Sequence, residues 1–259
     1  MKKLLTAVIV TVSVCAIWQF GIQALSKQRL EQNLTPIETF VATPKTIAEA
    51  FVEDGAVIAG QLGVTLVRAG AGLAIGAVLA ASLAVLFVIM PVLRTFVFPV
   101  SFALNSFPII GFVPLIVLLF GQGSWLSIIF VSMLISYFPI LVTLDHAFRN
   151  VDQETVDVLR VLNANKKQVL TKLYIPLALP SFFSSLRLAI PASIIGATVV
   201  EWLGTRNGIG QLIVISLYQL RPGLLYASLL SVAFVGIAAT WLLIAIEKRL
   251  FPWKTPRGI

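Results

Sequence analysis

Side chains that commonly carry out chemistry are few in this sequence, and none stands in a pattern that catalysis or metal binding needs. The single cysteine, Cys15, allows no internal disulfide and no cysteine metal cluster, and the single histidine, His146, has no set of metal ligands around it. No phosphate-binding loop of the form G-x-x-x-x-G-K-[ST] occurs in the chain. We therefore expect no catalytic residue, no metal site, no directly bound cofactor and no ATP hydrolysis by this chain.

An acidic residue in an apolar surrounding, Glu201, is the clearest candidate for a functional charge. A charged side chain costs about 2.5–3.5 kcal/mol at the bilayer centre on insertion scales, and less near an interface, so Glu201 should face the protein interior. One hypothesis is that Glu201 and Trp202 belong to an outer gate, with Arg68 or Arg206 as the partner of the carboxylate. The structural alternative is a hydrogen bond between two helices.

A second polar site interrupts an apolar stretch. Asn105 and Ser106 make this stretch locally polar, and Pro108, Gly111 and Pro114 are expected to interrupt a helix there. Broken helices at membrane depth are tolerated where they face other protein or a water-filled cavity. Both packing and the lining of a translocation path satisfy that rule.

The most polar long stretch of the chain carries an apolar stripe. Val156, Leu159 and Leu162 recur with the 3.6-residue period of a helix, and Val158 and Val161 lie beside them. The pattern predicts a short amphipathic helix from Glu154 to Leu162 outside the membrane. Taken alone, it fits a connector whose stripe rests on its own membrane domain or on the lipid surface.

The ends of this helix also have sequence signals. Asp152 is a suitable N-cap, and Asn163 suits the left-handed conformation that ends helices. A second helix should run from about Lys166 to Tyr174. Pro176 and Pro180 then predict a bend back into the bilayer.

The segments that position these residues are long and apolar. Of 259 residues, 58% are hydrophobic and 12% are charged, against about 25% charged residues in a soluble domain. A hydrocarbon core takes about 20 helical residues to cross, and no run alternates with the period of two that a barrel needs. We predict an all-α integral membrane protein with about six transmembrane helices, at 4–25, 64–90, 96–120, 124–144, 184–204 and 224–246.

Positive charge predicts the orientation of these spans. An even number of spans puts both termini on one side, with thirteen Lys and Arg residues there against six on the other side. Cytoplasmic loops accumulate such residues, so both termini and the long loop at 145–183 should be cytoplasmic. This bias accounts for the net charge of +8 without a nucleic acid partner. Four tryptophans near predicted span ends fit an aromatic belt: Trp125, Trp202, Trp241 and Trp253.

Two small residues in the second predicted span favour close helix approach. Gly72 and Gly76, continued by Ala80, form the G-x-x-x-G pattern found at helix contacts in lipid. The contact could lie inside one chain or form a seam between two copies.

The first predicted span resembles a signal peptide, because a basic start precedes an apolar run. A lipoprotein would use Cys15, but the preceding Val14 is large where a small residue is expected. We therefore expect an uncleaved first span.

The polar stretch carries a spaced motif: D-V-L at 157–159, N at 163 and L-Y-I-P at 173–176. It resembles the signature E-A-A, three residues, G, nine residues, I-x-L-P of permease subunits of binding-protein-dependent ABC importers, in the group for nitrate, sulfonate and taurine. Asp stands for Glu, Val-Leu for Ala-Ala and Asn for Gly, while the spacing is kept. Four further stretches extend the resemblance over 36–253: TPKTIAEAF, QLGVTLVRAGAGLAIGAVL, NSFPIIGFVPLIVLLFGQG and VEWLGTRNGIGQLI.

The resemblance implies a permease domain at 36–253, preceded by an N-terminal helix and the start of an outer loop at 1–35 and followed by a cytoplasmic tail at 254–259. It implies that Asn105, Ser106 and Pro108 lie near the translocation path. It also makes the helix near 154–163 a coupling helix that docks in a groove of a cytosolic ATPase. The residues that this role covers are Val156, Asp157, Leu159, Arg160, Leu162, Asn163 and Lys166.

The same resemblance implies the partners. Two permease copies, expected as a homodimer, would assemble with two ATPase subunits in the membrane lipid of a bacterial inner membrane. An extracytoplasmic substrate-binding protein would deliver the cargo, and the ATPase subunits would use the ATP.

Two other classes of membrane protein are alternatives. An ion-driven secondary transporter often has inverted repeats and intramembrane ion sites, but Glu201 is a lone carboxylate and no repeat is apparent. A scaffold or insertase explains the spans but not the ordered motifs. For the substrate we expect a small anion such as a sulfonate or nitrate, or a vitamin precursor, although no Lys or Arg lies deep in a predicted span.

Overall fold

The computed structural model describes residues 2–203 and 205–252, and these residues form helices joined by short connections. Trp253 and the predicted tail at 254–259 lie outside the described residues, as does Gly204. No strand occurs in the described part of the chain, so the all-α prediction is confirmed. The helices are α1 Lys2–Glu31, α2 Pro44–Glu53, α3 Gly55–Ile89, α4 Pro91–Ser106, α5 Ile109–Phe120, α6 Trp125–Arg149, α7 Gln153–Val161, α8 Lys166–Val169, α9 Ile175–Trp202, α10 Ile209–Tyr218 and α11 Pro222–Leu250.

Four helices of the described residues are long and apolar enough to cross a membrane. They are α3, α6, α11 and a continuous helical segment, Lys166–Trp202, that contains α8 and α9. The pair α4 and α5 adds a fifth if it counts as one span. The first predicted span lies within α1, and the count of six spans stays a prediction.

The structure corrects the predicted bend at Pro176 and Pro180. The helical segment continues through both prolines, and a π-helical turn, Leu170–Tyr174, stands just before them. Pro176 is the second residue after the π turn. Membrane helices tolerate proline where such a turn adjusts the backbone pairing.

The chain divides into two compact units. The first comprises Met1–Val64 and Arg206–Ala233, and the second comprises Thr65–Thr205 and Phe234–Ile259. The second unit holds every residue that the sequence marks for coupling, path lining or helix packing. The first unit adds α2 and α10, which the span prediction did not contain.

Within the first unit, α2 starts at a well-capped end. The Thr43 hydroxyl accepts a hydrogen bond from the Thr46 N–H at 3.3 Å, and the Thr46 hydroxyl accepts one from the Thr43 N–H at 3.0 Å. Gly223 lies so close that an added Cβ would stand 2.6 Å from the Thr46 carbonyl oxygen. Arg221 forms an ion pair with Asp54 at 2.6 Å. Backbone contact and this ion pair therefore both join α2 to the segment at 221–223 within this unit.

Within the second unit, α6 is the central element. Its buried residues Tyr137, Ile140 and Leu141 pack in one core with Ala84 of α3 and Ala189 of α9. Burying a large apolar side chain against protein is worth about 1.5–3 kcal/mol when the alternative is water. Between helices in lipid, this gain from leaving water is absent, and close van der Waals packing stabilises the contact instead. Small residues permit such close packing, which explains why this core contains many of them.

The glycines predicted to permit close helix approach lie against α6 of the same chain. A Cβ on Gly72 would overlap the Ser132 side chain, and one on Gly76 would stand 2.8 Å from the Ser136 hydroxyl oxygen. On the other side of α6, a Cβ on Gly196 would stand 3.1 Å from the Ser132 Cα. Packing inside one chain is therefore confirmed. α6 of the same chain occupies the face of α3 that carries Gly72 and Gly76.

Candidate functional site

The coupling loop begins with the helix that the sequence predicts, α7. The Asp152 carboxylate accepts from the Glu154 N–H and from the Thr155 hydroxyl, both at 3.2 Å. At the other end Asn163 adopts a left-handed φ of 58°, and the Ala164 N–H donates to the Leu159 carbonyl at 2.9 Å. The N-cap and the left-handed stop are both confirmed.

The inward face of α7 corrects the predicted docking stripe. Val156 is only 2% exposed because it packs with Val151 and Val169 of the same chain. Leu159 is half-buried and packs against the same cluster. These two apolar residues anchor α7 to its own domain; Val156 is not accessible to a partner, and Leu159 is only partly accessible.

The outward face of α7 is apolar and exposed. Val161 is 82% exposed, Leu162 is 71% exposed and Val158 is 59% exposed. Asp157 and Arg160 form an ion pair at 3.0 Å on the same exposed helix. Of the predicted coupling residues, Asp157, Arg160, Leu162, Asn163 and Lys166 are exposed. Val158 and Val161, which lie beside the predicted stripe, are exposed as well. We name Val158, Val161 and Leu162 the outer face of α7.

Two ion pairs lie in helices around this loop, and neither was identified from the sequence. Arg94 of α4 binds Asp145 of α6 with two hydrogen bonds, at 2.6 and 2.9 Å. Arg187 of α9 binds Glu247 of α11. Both carboxylates are buried. In the sequence, each of these four residues is a charge next to an apolar segment, which indicates a possible ion pair. The sequence does not show which helices come into contact, so it does not identify the partners.

The buried carboxylate Glu201 pairs with α3. Its Oε1 accepts from Arg68 at 3.0 Å, and its Oε2 accepts from the Thr65 hydroxyl at 2.8 Å. Glu201 is 0% exposed and Arg68 is 1% exposed, so the prediction that Glu201 faces the protein interior is confirmed. The guanidinium carbon of Arg68 also stands 5.1 Å from the centre of the Trp125 ring. Trp202, the next residue after Glu201, is 45% exposed.

Arg68 lies well inside the long helix α3. α3 starts at Gly55, nine residues before the predicted start of the second span, so Arg68 stands within the helix. A sequestered ion pair between helices explains how the charge is accommodated.

The predicted interruption near Pro108 is confirmed. α4 ends at Ser106, α5 begins at Ile109, and the two helices meet at an angle of 99°. Asn105 and Ser106 are exposed, and the Ser106 hydroxyl donates to the Phe102 carbonyl at 2.9 Å. The predicted interruption at Gly111 and Pro114 is wrong, because both residues lie inside α5, which continues through them.

The candidate path residues fall in two places. Asn105, Ser106 and Pro108 lie at the bend between α4 and α5, and Glu201 and Trp202 lie at the end of α9. α5 packs against α9, so both places belong to neighbouring helices of the second unit. Among the described residues, no group of three His, Cys, Asp or Glu side chains could hold a metal ion.

The apolar helices and the capped loop between α6 and α9 define a multi-pass α-helical membrane protein. Residues 60–253 match the family model described as "Binding-protein-dependent transport system inner membrane component", so the chain belongs to that family. It is a permease subunit of an ABC transport system and not an ion-driven secondary transporter. Such systems include an ATPase and a substrate-binding protein, and the permease subunits are not themselves ATPases.

Relatives with assigned transport roles are similar over much of the chain. The formylaminopyrimidine transport permease protein ThiX of Halalkalibacterium halodurans is 31% identical over 75% of this chain and 77% of the relative. The putative aliphatic sulfonates transport permease protein SsuC of Bacillus subtilis is 27% identical over 83% and 79%. The riboflavin transport system permease protein RibX of Chloroflexus aurantiacus is 31% identical over 60% and 58%.

Proposed function

We propose that the outer face of α7 docks on the cytosolic ATPase subunit and transmits its movement to the permease. The observation that carries this proposal is the division of α7 into two faces. Val156 fixes the helix to the core, while Val158, Val161 and Leu162 stand exposed on a helix that is otherwise polar. An amphipathic helix with exposed apolar anchors suits a groove on another protein.

The anchoring of α7 supplies the mechanical part of the proposal. Val156 and Leu159 pack with Leu173 and Tyr174, which lie at the start of the continuous segment that becomes α9. A displacement of α7 by a docked partner would therefore act on α9 through packed side chains. α9 ends at Trp202, directly after Glu201.

The Arg68–Glu201 pair is the proposed gate element at the other end of α9. It joins α9 to α3 by a charge-assisted hydrogen bond. Separating the two charges in a low-dielectric interior costs much free energy, so the pair resists small displacements of the two helices. Opening would exchange this pair for other polar partners or for water. The bend between α4 and α5, with the exposed Asn105 and Ser106, is the proposed wall of the path.

The proposed assembly contains two permease copies, expected as a homodimer, and two ATPase subunits in a bacterial inner membrane. Both termini and α7 face the cytoplasm in this arrangement, because Lys and Arg concentrate on that side. The exposed amide of Asn105 in an apolar surrounding supports a water-lined path or a second copy at the bend.

The proposed cargo is a small anion such as a sulfonate or nitrate, or a vitamin precursor. Relatives named for aliphatic sulfonates, formylaminopyrimidine and riboflavin support both classes. The charge of Arg68 is paired with Glu201 in this structure, so Arg68 does not by itself require an anionic cargo. Transport assays with radiolabelled sulfonate and aminopyrimidine, each with the cognate binding protein, separate the two classes.

Copurification tests the docking role. The permease carrying Val161→Arg should lose association with the ATPase and lose ATPase stimulation in proteoliposomes, because a charge is placed on the exposed apolar face. Thr171→Arg, which adds the same charge at an exposed position outside α7, is the matched control. Full association of the Val161→Arg permease would contradict the proposal, provided that its thermal stability equals that of the wild type.

A further inference from the structure

Two adjoining cavities lie between α7 and the junction of α3 with α4. The first, which we name cavity A, has a volume of about 340 Å³ and is bounded by Val88, Val156, Arg160, Lys166, Leu170 and Tyr174, among others. The second, cavity B, has a volume of about 320 Å³. Val88, Pro91 and Tyr174 line both cavities, so the two share a wall. Neither cavity was assigned a role above.

The polar side of these cavities is positively charged. Cavity A is lined by Arg160 and Lys166 and by no acidic side chain. Cavity B adds Arg149 beside the Arg94–Asp145 pair. Within the described residues, Lys166 and Arg149 are exposed and take part in no ion pair. Arg160 is paired with Asp157 at 3.0 Å, so the uncompensated positive charge at the cavities comes from Lys166 and Arg149, and this charge complements an anion.

The other side of cavity A is apolar and leads to exposed apolar surface. Val88, Ile89 and Val169 line it. Ile89 is 52% exposed, and its neighbours Met90 and Val92 are 55% and 71% exposed. A ligand that fills the cavity must accordingly combine an anionic group with an apolar part that continues along the end of α3.

The π turn before α9 forms part of the same wall. Its first residue, Leu170, and its last, Tyr174, both line cavity A. Such turns insert one extra residue into a helix, cost hydrogen-bond geometry and occur frequently at functional sites. Here the turn lines the same cavity as Arg160 and Lys166. The presence of this turn is a second observation, which does not depend on the charge of the cavity.

We propose that cavity A binds the phosphate headgroup of an anionic phospholipid between Arg160 and Lys166, with an acyl chain along Val88 and Ile89. Basic pockets beside membrane helices on the cytoplasmic side are suited to such headgroups. The site rests on the proposed coupling role, because Val156 of α7 forms part of the wall and a bound lipid would brace α7 against α3. The lipid would then strengthen the link between the ATPase and α9.

Native mass spectrometry of the full-length permease in detergent tests this site without the ATPase. Phosphatidylglycerol is titrated into the wild type and into Lys166→Gln, and phosphatidylcholine is the neutral lipid control. One Lys near a membrane surface contributes about fivefold to anionic lipid binding. We expect Lys166→Gln to bind phosphatidylglycerol about fivefold more weakly. Lys167→Gln, which removes the same charge from the next residue outside the cavity wall, should change binding less than twofold.

A second variant tests the cavity without changing the charge. Ala164→Phe fills cavity A with an apolar ring and should reduce phosphatidylglycerol binding at least as much as Lys166→Gln. Equal losses in Lys166→Gln and Lys167→Gln would overturn the site in favour of general surface attraction. Glycerol phosphate that competes as well as the lipid would overturn the lipid assignment. The two proposals can fail separately. If the wild type binds phosphatidylglycerol as expected but the Val161→Arg permease still recruits the ATPase, the docking role is wrong and the lipid site is retained.

Discussion

Two ion pairs of the second unit have the same nitrogen–oxygen distance and very different surroundings. Arg68–Glu201 and Arg160–Asp157 both measure 3.0 Å, yet the first pair is almost fully buried and the second is about two-thirds exposed at both side chains. Exposed pairs contribute about 0.2–1 kcal/mol, whereas breaking a buried pair costs about 3–5 kcal/mol. Distance alone therefore does not give the contribution of a pair.

The two pairs belong to regions that are stabilised differently. Buried ion pairs and glycines that permit close backbone contact stabilise the interior. The coupling loop is fixed by caps and by one buried apolar face, which leaves its outer face free. Substitutions at the two pairs, and at the contacts that support each, should differ accordingly.

The largest effect is expected at the buried pair. Arg68→Met leaves the Glu201 carboxylate uncompensated and should lower the free energy of unfolding by about 3–5 kcal/mol, measured in mixed micelles. The double variant Arg68→Met, Glu201→Leu should recover most of this loss because no charge stays buried. A single variant that is as stable as the wild type would show that solvent reaches the pair.

A smaller effect is expected at the glycine contact between α3 and α6. Gly72→Ala places a Cβ into the Ser132 side chain and should cost about 1–3 kcal/mol of unfolding free energy. Gly70→Ala is the matched control, since a Cβ there meets nothing within 4 Å. If both variants gain stability from the better helix propensity of alanine, α6 does not lie as close as described.

The coupling loop should respond locally to loss of its cap. Asp152→Ala removes the acceptor for the Glu154 N–H and should destabilise α7 by about 1 kcal/mol. Hydrogen exchange should quicken several-fold for amides of α7, while exchange in α6 stays unchanged. Faster exchange throughout α6 would mean that α7 and the interior unfold as one unit.

The smallest effect is expected at the exposed pair. Asp157→Asn should change the unfolding free energy by less than about 1 kcal/mol, and the change should diminish further in high salt. A loss comparable with that of Arg68→Met would contradict the distinction between the two regions.

The sequence was sufficient for features that local rules determine. Asp152 as N-cap, Asn163 as left-handed stop, the interruption at Pro108 and the buried position of Glu201 all follow from a residue type and its immediate neighbours. The helix continuing through Pro176 was not predicted, because a π turn compensates for the proline and leaves no simple sequence pattern.

Features that depend on which helices meet were beyond the sequence. The pairing of Arg94 with Asp145 and of Arg187 with Glu247 needs tertiary contacts. Which face of α7 is buried also depends on tertiary contacts. A stripe of 3.6-residue period identifies an apolar side, but only the packing of Val156 on Val151 and Val169 shows which apolar residues are already used.

Cysteine accessibility tests the central claim, that α7 keeps its inner face for its own domain and its outer face for the ATPase. In a Cys15→Ala background, Val161→Cys and Val156→Cys are treated with a membrane-impermeant thiol reagent, with and without the ATPase. Val161→Cys should react quickly in the free permease and be protected in the complex, whereas Val156→Cys should react slowly in both. Equal labelling of Val161→Cys with and without the bound ATPase would contradict the account.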